Sequence, residues 1–166
     1  MAKRMTPRRS ANGTVLERAT DQALVASRAL VAVAARSLDD VASDITLRQF
    51  RALVVLSSRG DLNVSGMAEL LGIHASTATR LCDRLLSKGL IERATSSDDR
   101  REVTVHLSTE GRGVVRNVTA RRRREIRKIL ARMTETDQRR VVEAFATFAA
   151  AAGELPDDAW KLGWSE

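Results

Sequence analysis

The segment HASTATRLCDRLLSK, residues 74–88, carries the side chains whose types and spacing best suit a chemical task. Apolar residues recur three and four positions apart and form one stripe of a predicted helix: Ala78, Leu81, Cys82, Leu85 and Leu86. The opposite side carries hydroxyl and charged residues: Ser76, Thr77, Thr79, Arg80, Asp83, Arg84 and Ser87. Arginine reads guanine edges in the DNA major groove, where serine and threonine contact bases or phosphates. By itself the pattern also fits a solvated amphipathic helix, so the neighbouring segments decide between the two interpretations.

These neighbours predict a helix-turn-helix followed by a β-hairpin. A short helix is expected from Ser65 to Leu71, and Gly72-Ile73 forms the tight turn before residue 74. Its inward-facing residues are predicted to be Met67, Leu70 and Leu71. After Gly89, a strand begins at residues 90–93 and a second strand covers 102–107, with a polar turn between them. A helix-turn-helix followed by a hairpin with arginines at its tip is a winged helix-turn-helix.

Long helices are predicted on both sides of this unit. The first runs from Thr14 to Val41, and its apolar positions are Leu16, Ala19, Ala23, Leu30, Ala34, Leu38 and Val41. Two more follow the hairpin, at 109–132 and from Thr134 to Gly153. The last helix carries the stripe Val141, Phe145, Phe148 and Ala152. Stripes of this length are expected to pack on another helix or another subunit.

Several helix ends have capping signals. Thr46 and Gln49 form a capping-box pattern at the start of a helix that ends near Gly60, which is expected to be left-handed. Ser108 and Thr134 are expected to cap the two C-terminal helices.

Composition and charge narrow the function further. The chain has 166 residues and a net charge of +7, yet residues 45–110 hold nine basic and eight acidic side chains. Affinity for DNA must therefore come from the placement of individual arginines. No apolar run is long enough to span a membrane, and a single cysteine excludes an internal disulfide, so a cytoplasmic protein is expected. No catalytic, metal-ligating or phosphate-binding pattern is present, so neither enzymatic activity nor a cofactor is predicted.

Four runs of residues resemble those of the MarR family of bacterial transcription regulators. They are Leu81-Cys82-Asp83-Arg84-Leu85, Lys88-Gly89-Leu90-Ile91, Asp99-Arg100-Arg101 and Leu107-Ser108-Thr109-Glu110-Gly111. The resemblance implies a mainly α fold with a small β-hairpin wing, in which N- and C-terminal dimerisation helices flank a winged helix-turn-helix.

The domain organisation follows from this resemblance. Residues 1–11 are expected to be a flexible basic arm, 12–152 a single domain and 153–166 a C-terminal tail. Within that domain, the resemblance implies dimerisation helices at 12–44 and 112–152 and a winged helix-turn-helix at 45–111. It further implies a homodimer that binds double-stranded DNA at a pseudo-palindromic operator, most often as a repressor released by a small-molecule effector. The alternative is a winged-helix module for protein or RNA contacts without operator specificity.

The candidate DNA-binding residues lie on the predicted recognition helix and the wing. They are His74, Ser76, Thr77, Thr79, Arg80, Arg84, Arg100 and Arg101. Arg101 at the wing tip suits a narrow minor groove, and Asp99 is expected to orient its guanidinium. The family often has serine where His74 stands, so this poorer cap is expected to contact DNA or a ligand instead.

Other conspicuous residues have structural alternatives. Arg84 and Lys88 either contact the DNA backbone or pair with nearby acids, and Asp83 is expected to pair with an arginine of its own domain. Cys82 lies in the apolar stripe and is interpreted as a buried structural residue rather than an oxidant sensor.

The two C-terminal features are also open to two interpretations. The run Arg121–Arg124 is expected to be the solvated side of a helix, and the alternative is an anion pocket lined by Arg116, Arg123 or Arg127. The tail that contains Trp160 and Trp164 either docks on a groove of the dimer or stays undocked.

Overall fold

The computed structural model describes residues 14–42, 44–95 and 103–154, which form six helices and three short strands. In chain order these are α1 (Val15–Ala42), α2 (Leu47–Arg59), β1 (Leu62–Asn63), α3 (Val64–Leu71), α4 (Ala75–Ser87), β2 (Ile91–Thr95), β3 (Val103–Leu107), α5 (Thr109–Leu130) and α6 (Glu135–Ala151). The architecture is mainly helical with a small antiparallel sheet, as the sequence predicts.

One hydrophobic core lies between α2, α3, α4, the sheet and the first half of α5. Its largest fully buried side chains include Phe50, Leu53, Met67, Leu85 and Ile91. The end of α1 joins this core through Leu38 and Ala42. The helix-turn-helix and the base of the wing therefore form one packed unit, which holds α4 in a fixed orientation.

The sheet contains a strand that the sequence analysis missed. Its order is β1-β3-β2, and both pairings are antiparallel. β2 and β3 form the predicted hairpin, with Ile91 opposite Leu107 and Thr95 opposite Val103. The alternation of Val103, Val105 and Leu107 predicts that they share one face of β3. Val105 and Leu107 are buried in the core, whereas Val103 is 47% exposed. β1 is only two residues long, too short to leave a period-two pattern in the sequence.

The predicted helix caps are present with one exception. The Thr46 and Gln49 side chains bond each other's backbone N–H groups at 3.2 and 2.9 Å. Ser108 and Thr134 accept from the backbone N–H groups of Gly111 and Asp137. Gly60, however, has φ 82° and ψ −152°, outside the left-handed helical region in which it was expected. Its N–H still bonds the Leu56 carbonyl, so the chain leaves α2 in an extended direction that leads into β1.

The two outer helices are covered very unevenly. Only the last third of α1 is buried, through Val33, Ser37, Leu38 and Ala42, and α5 packs against this helix. Of the positions predicted for the α1 stripe, Leu38 is buried, whereas Val41 is 37% exposed and residues 14–31 are all exposed. α6 contains no buried residue. In the described part of the chain, no helix combines the length and hydrophobicity that a membrane crossing requires.

Candidate nucleic-acid interface

α4 buries its apolar stripe and exposes its polar side. Ala78, Leu81, Cys82 and Leu85 are buried. The polar residues that share the opposite side are exposed: Ser76, Thr79, Arg80, Asp83, Arg84 and Ser87. Thr77 lies at the border of the two sides and is half-buried. The structure thus brings the candidate residues of α4 together on one accessible surface, which we call the α4 surface.

The start of α4 has an uncapped N-terminus. His74 occupies the N-cap position, and its imidazole makes no capping hydrogen bond. Its backbone carbonyl accepts from the Thr77 and Ala78 N–H groups at 2.9 and 3.0 Å. The exposed imidazole and the free N–H groups of the first turn are therefore available to an acceptor such as a phosphate oxygen.

Two polar side chains on this surface are partly held by the helix itself. The Thr79 hydroxyl donates to the Ala75 carbonyl at 3.0 Å. Arg80 Nε lies 3.4 Å from the Ser76 carbonyl, which leaves the terminal guanidinium nitrogens unengaged among the described residues. Arg80 therefore retains the two-pronged donor set that a guanine edge accepts.

Asp83 forms the intramolecular pair that was expected of it, and Lys88 adopts the second of its two predicted roles, a pair with a nearby acid. The Asp83 carboxylate accepts a hydrogen bond from Arg93 on β2 at 2.7 Å. This ion pair offsets a negative charge that would otherwise repel DNA phosphates. Lys88 Nζ donates to the carboxylate and the carbonyl of Asp44 at 2.7 and 2.9 Å. This hydrogen bond lowers the pKa of the Asp44 carboxyl below its usual value. Arg84 has no side-chain partner in the described part of the chain.

A cluster of contacts behind α4 joins the recognition helix to α5. The Ser108 hydroxyl donates to the Gly89 carbonyl at 2.6 Å while it caps α5. A Cβ at Gly111 would lie 2.0 Å from the Leu90 carbonyl oxygen, so only glycine permits this close approach. Arg112 donates to the Leu107 carbonyl at 2.6 Å. The sequence analysis did not single out Arg112, because a single arginine after a cap has no distinctive pattern.

The wing is described only at its base. Asp99, Arg100 and Arg101 lie outside the described residues, as do the N-terminal arm and the tail that contains Trp160 and Trp164.

Cys82 is fully buried, as expected for a structural residue. Burial raises the pKa of its thiol, since desolvation disfavours the thiolate, and the nearby Asp83 carboxylate adds to the shift. Both effects keep the sulfur in its unreactive protonated form.

The interpretation of Arg121–Arg124 as a uniformly solvated side is wrong. Arg121 forms an ion pair with Asp40 of α1 at 2.7 Å, and Arg122 lies over the Phe50 ring of α2 at 5.5 Å. Arg123 and Arg124 are exposed, as expected. Desolvation lowers the pKa of Arg122. The error arose because four consecutive arginines give no indication, in the sequence, of which ones contact a neighbouring helix.

Comparison with known proteins identifies the family. A model of the MarR family matches residues 45–103. The HTH-type transcriptional repressor MdtR of Bacillus subtilis is 32% identical over 108 residues, which cover 65% of this chain and 70% of MdtR. The chain belongs to the MarR family. It is therefore a MarR-family transcriptional regulator with a DNA-binding winged helix, and not an enzyme.

Solved structures share the fold of this chain. RV1404 from Mycobacterium tuberculosis is 40% identical, with a TM-score of 0.81 over 87% of this chain and 99% of RV1404. A variant of MepR from Staphylococcus aureus, solved bound to an oligodeoxyribonucleotide, has a TM-score of 0.60 at 20% identity. It covers 80% of this chain and 96% of the MepR chain, and the likeness is one of fold.

Proposed function

We propose that this MarR-family regulator is a homodimeric repressor that binds a pseudo-palindromic operator and that a small-molecule effector releases it. The observation that carries the proposal is the α4 surface, which exposes hydroxyls and arginines on a helix whose other side is buried in the hydrophobic core. A helix held in this way can enter a major groove without rearrangement.

Uncovered apolar side chains on the outer helices support the homodimer. Phe145 and Phe148 on α6 are 46% and 63% exposed, and Leu16, Leu24 and Val25 on α1 are exposed as well. A twofold partner that presents the same helices would cover both stripes. Helices at 12–44 and 112–152 would then form the dimer, while 45–111 binds DNA.

The proposed contacts divide between the two grooves. In the major groove, the base edges are contacted by Ser76, Thr79 and Arg80. The sides of the groove or the DNA phosphates are contacted by His74, Thr77 and Arg84. In the minor groove, we expect Arg101 of the wing, oriented by Asp99, with Arg100 on a phosphate. Twofold symmetry would place the two α4 helices about 34–36 Å apart along the duplex.

Two related proteins support a repressor that binds DNA. The name of MdtR describes it as a transcriptional repressor, and the MepR variant was solved with an oligodeoxyribonucleotide. The effector step is supported by the contacts of α5 with α1 and α2. Because Arg121–Asp40 and Arg122–Phe50 join these helices, a ligand that shifted α5 would also tilt the DNA-binding unit and reduce operator affinity by linkage.

The test uses a duplex that the protein itself selects from a random-sequence pool. Binding is followed by fluorescence anisotropy at several salt concentrations, with random duplex and random RNA as competitors. We expect the selected duplex to be palindromic and to resist both competitors, since a specific site is typically 10³-fold or more tighter than random DNA. Equal competition by RNA would favour the alternative module instead.

Arg80→Ala tests the α4 surface directly. Loss of a guanine contact should weaken binding by about 1–3 kcal/mol and relax the preference at one position of each half-site. Arg132→Ala is the matched control, because Arg132 is an exposed arginine beyond the far end of α5. Equal effects of both substitutions would mean that net charge, and not the α4 surface, determines affinity.

A further inference from the structure

A cavity of about 170 Å³ lies between α2, α3 and the end of α6, away from the α4 surface. Val54, Val55 and Leu70 line its apolar side, and Arg51, Arg59 and Glu154 line its polar side. Leu70 was expected to face inward, but it is 40% exposed because it borders this cavity. The volume is close to that of engineered apolar cavities of roughly 150 Å³ that hold a benzene ring, but this cavity is partly open and its exposed lining is mainly polar. An aromatic ring that also carries a polar group would therefore fit it.

α6 ends at the rim of this cavity. Gly153 has φ 72°, and its N–H bonds the Ala150 carbonyl, while the Glu154 N–H bonds the Ala149 carbonyl at 3.0 Å. These two bonds form a Schellman motif, which ends the helix and turns the backbone aside. Glu154 then pairs with Arg51 of α2 at 3.0 Å. Residue 155 thus begins at the cavity itself.

The residues that follow match the cavity in charge and in side-chain type. The segment 155–166, LPDDAWKLGWSE, has three acidic residues and one basic residue. Arg59 lines this cavity and has no ion-pair partner within 14–42, 44–95 and 103–154. Its guanidinium can therefore pair with a carboxylate of the residues that follow. The indole of tryptophan is the aromatic ring that best stacks on arginine.

The shorter loop favours Trp160 over Trp164. Five residues separate Glu154 from Trp160, and an extended chain of that length spans up to about 20 Å. Pro156-Asp157 favours a turn, which would direct the chain back toward its starting point. Trp164 would require a longer loop and a larger loss of chain entropy.

We propose that the segment 155–166 of this same chain occupies the cavity, with the Trp160 indole inside it and the Asp157-Asp158 pair facing Arg59. The docked segment would hold the end of α6 against α2 and α3 of the DNA-binding unit. This inference does not depend on which DNA the protein binds.

The chain carries its own reporter for this contact, because Trp160 and Trp164 are its only tryptophans and it has no tyrosine. In the full chain with Trp164→Phe, we expect Trp160 emission to lie to the blue of that of a free peptide of residues 155–166 with the same substitution. Its acrylamide quenching constant should be several-fold lower. With Trp160→Phe, the remaining Trp164 should be quenched as readily as in the peptide. Protection of Trp164 alone, or of neither residue, would overturn the proposal.

Charge reversal tests where the segment docks. In the Trp164→Phe chain, Arg59→Glu should raise the quenching constant to the peptide value, and adding Asp157→Lys with Asp158→Lys should restore protection. Arg48→Glu is the matched control, an exposed arginine on the same helix that does not line the cavity, and should leave quenching unchanged. Protection that survives Arg59→Glu, or that disappears on dilution, would place the segment elsewhere or on the partner and would refute the proposed contact.

Discussion

The DNA-binding unit and the outer helices carry the same kind of apolar stripe but bury it to different extents. In α4, the stripe residues Ala78, Cys82 and Leu85 are fully buried by the rest of the chain. In α6, the stripe residues Phe145 and Phe148 remain about half exposed or more. The difference shows that the winged helix completes its core within one chain, whereas the described residues leave the apolar surface of α6 and of the first half of α1 uncovered.

The difference also separates two kinds of stability. Burial of an apolar side chain contributes about 1.5–3 kcal/mol wherever it occurs. Within the winged helix this contribution is intramolecular and does not depend on concentration. On the outer helices it would become available only in the proposed homodimer, so it would depend on protomer concentration.

The largest effect is expected from Phe145→Glu combined with Phe148→Glu. Covering the exposed part of each ring is worth about 1–2 kcal/mol, and the four rings of a twofold dimer sum to roughly 4–8 kcal/mol. The dimer dissociation constant should therefore rise by about 10³-fold or more, as measured by sedimentation. Thr147→Glu, on the opposite side of α6, is the control. If the double variant associated as tightly as the original protein, the exposed stripe of α6 would not be a dimer contact, and the distinction between the winged helix and the outer helices would be wrong.

The next effect concerns the core of the winged helix. Gly111→Ala would place a Cβ 2.0 Å from the Leu90 oxygen, and overpacking of this kind costs about 1–3 kcal/mol of unfolding free energy. Gly113→Ala in the same helix meets no atom within 4 Å and should instead stabilise by about 0.5–1 kcal/mol. Urea denaturation of both variants measures this difference. The same sign for both would contradict the close approach of α5 to residue 90.

A smaller gain is expected from His74→Ser. Serine at the N-cap should accept the backbone N–H that the imidazole leaves unbonded and raise stability by about 1 kcal/mol. Thr134→Ala should cause a loss of similar size, since it removes an existing cap. Thermal unfolding measures both. If His74→Ser also weakened operator binding, the histidine would be assigned to DNA contact.

The smallest effect is expected for Asp44, which pairs with Lys88 at the protein surface. The folded-state pKa of Asp44 lies below its usual 3.8, so the pair stabilises above that value and the stabilisation is lost as the pH falls through the folded-state pKa. Asp44→Asn should therefore lower Tm slightly at pH 7 and by progressively less as the pH falls below 3.8. Asp61→Asn serves as the control, because Asp61 is exposed and has no ion-pair partner among the described residues. A larger Tm difference in acid than at neutrality would contradict this assignment.

Much of the winged helix was predictable because its signals are local. Caps such as Thr46–Gln49 and Ser108 involve residues within three positions, and the stripe of α4 repeats within two turns. These patterns predicted the element order, the recognition helix and the burial of Cys82. The prediction of an arginine partner for Asp83 was also confirmed, although the sequence did not show that it is Arg93.

The rest required long-range packing. β1 exists only because β3 offers it hydrogen-bonding partners, and two residues are too few to show a strand period. Arg122 differs from Arg123 only in the neighbour that it meets across the helix interface, the Phe50 ring. The candidate contacts Asp99, Arg100 and Arg101 stay predictions, since they lie outside the described residues.

The amino-acid sequence by itself determined the order of the helices, their caps, the polar side of α4 and the resemblance to the MarR family, because each of these depends on residues close together in the chain. Only the tertiary structure decided which apolar surfaces remain uncovered, which arginines are engaged and where the cavity at the end of α6 lies. The physical reason is that burial and ion pairing depend on which segments meet in space, and local periodicity does not specify those encounters.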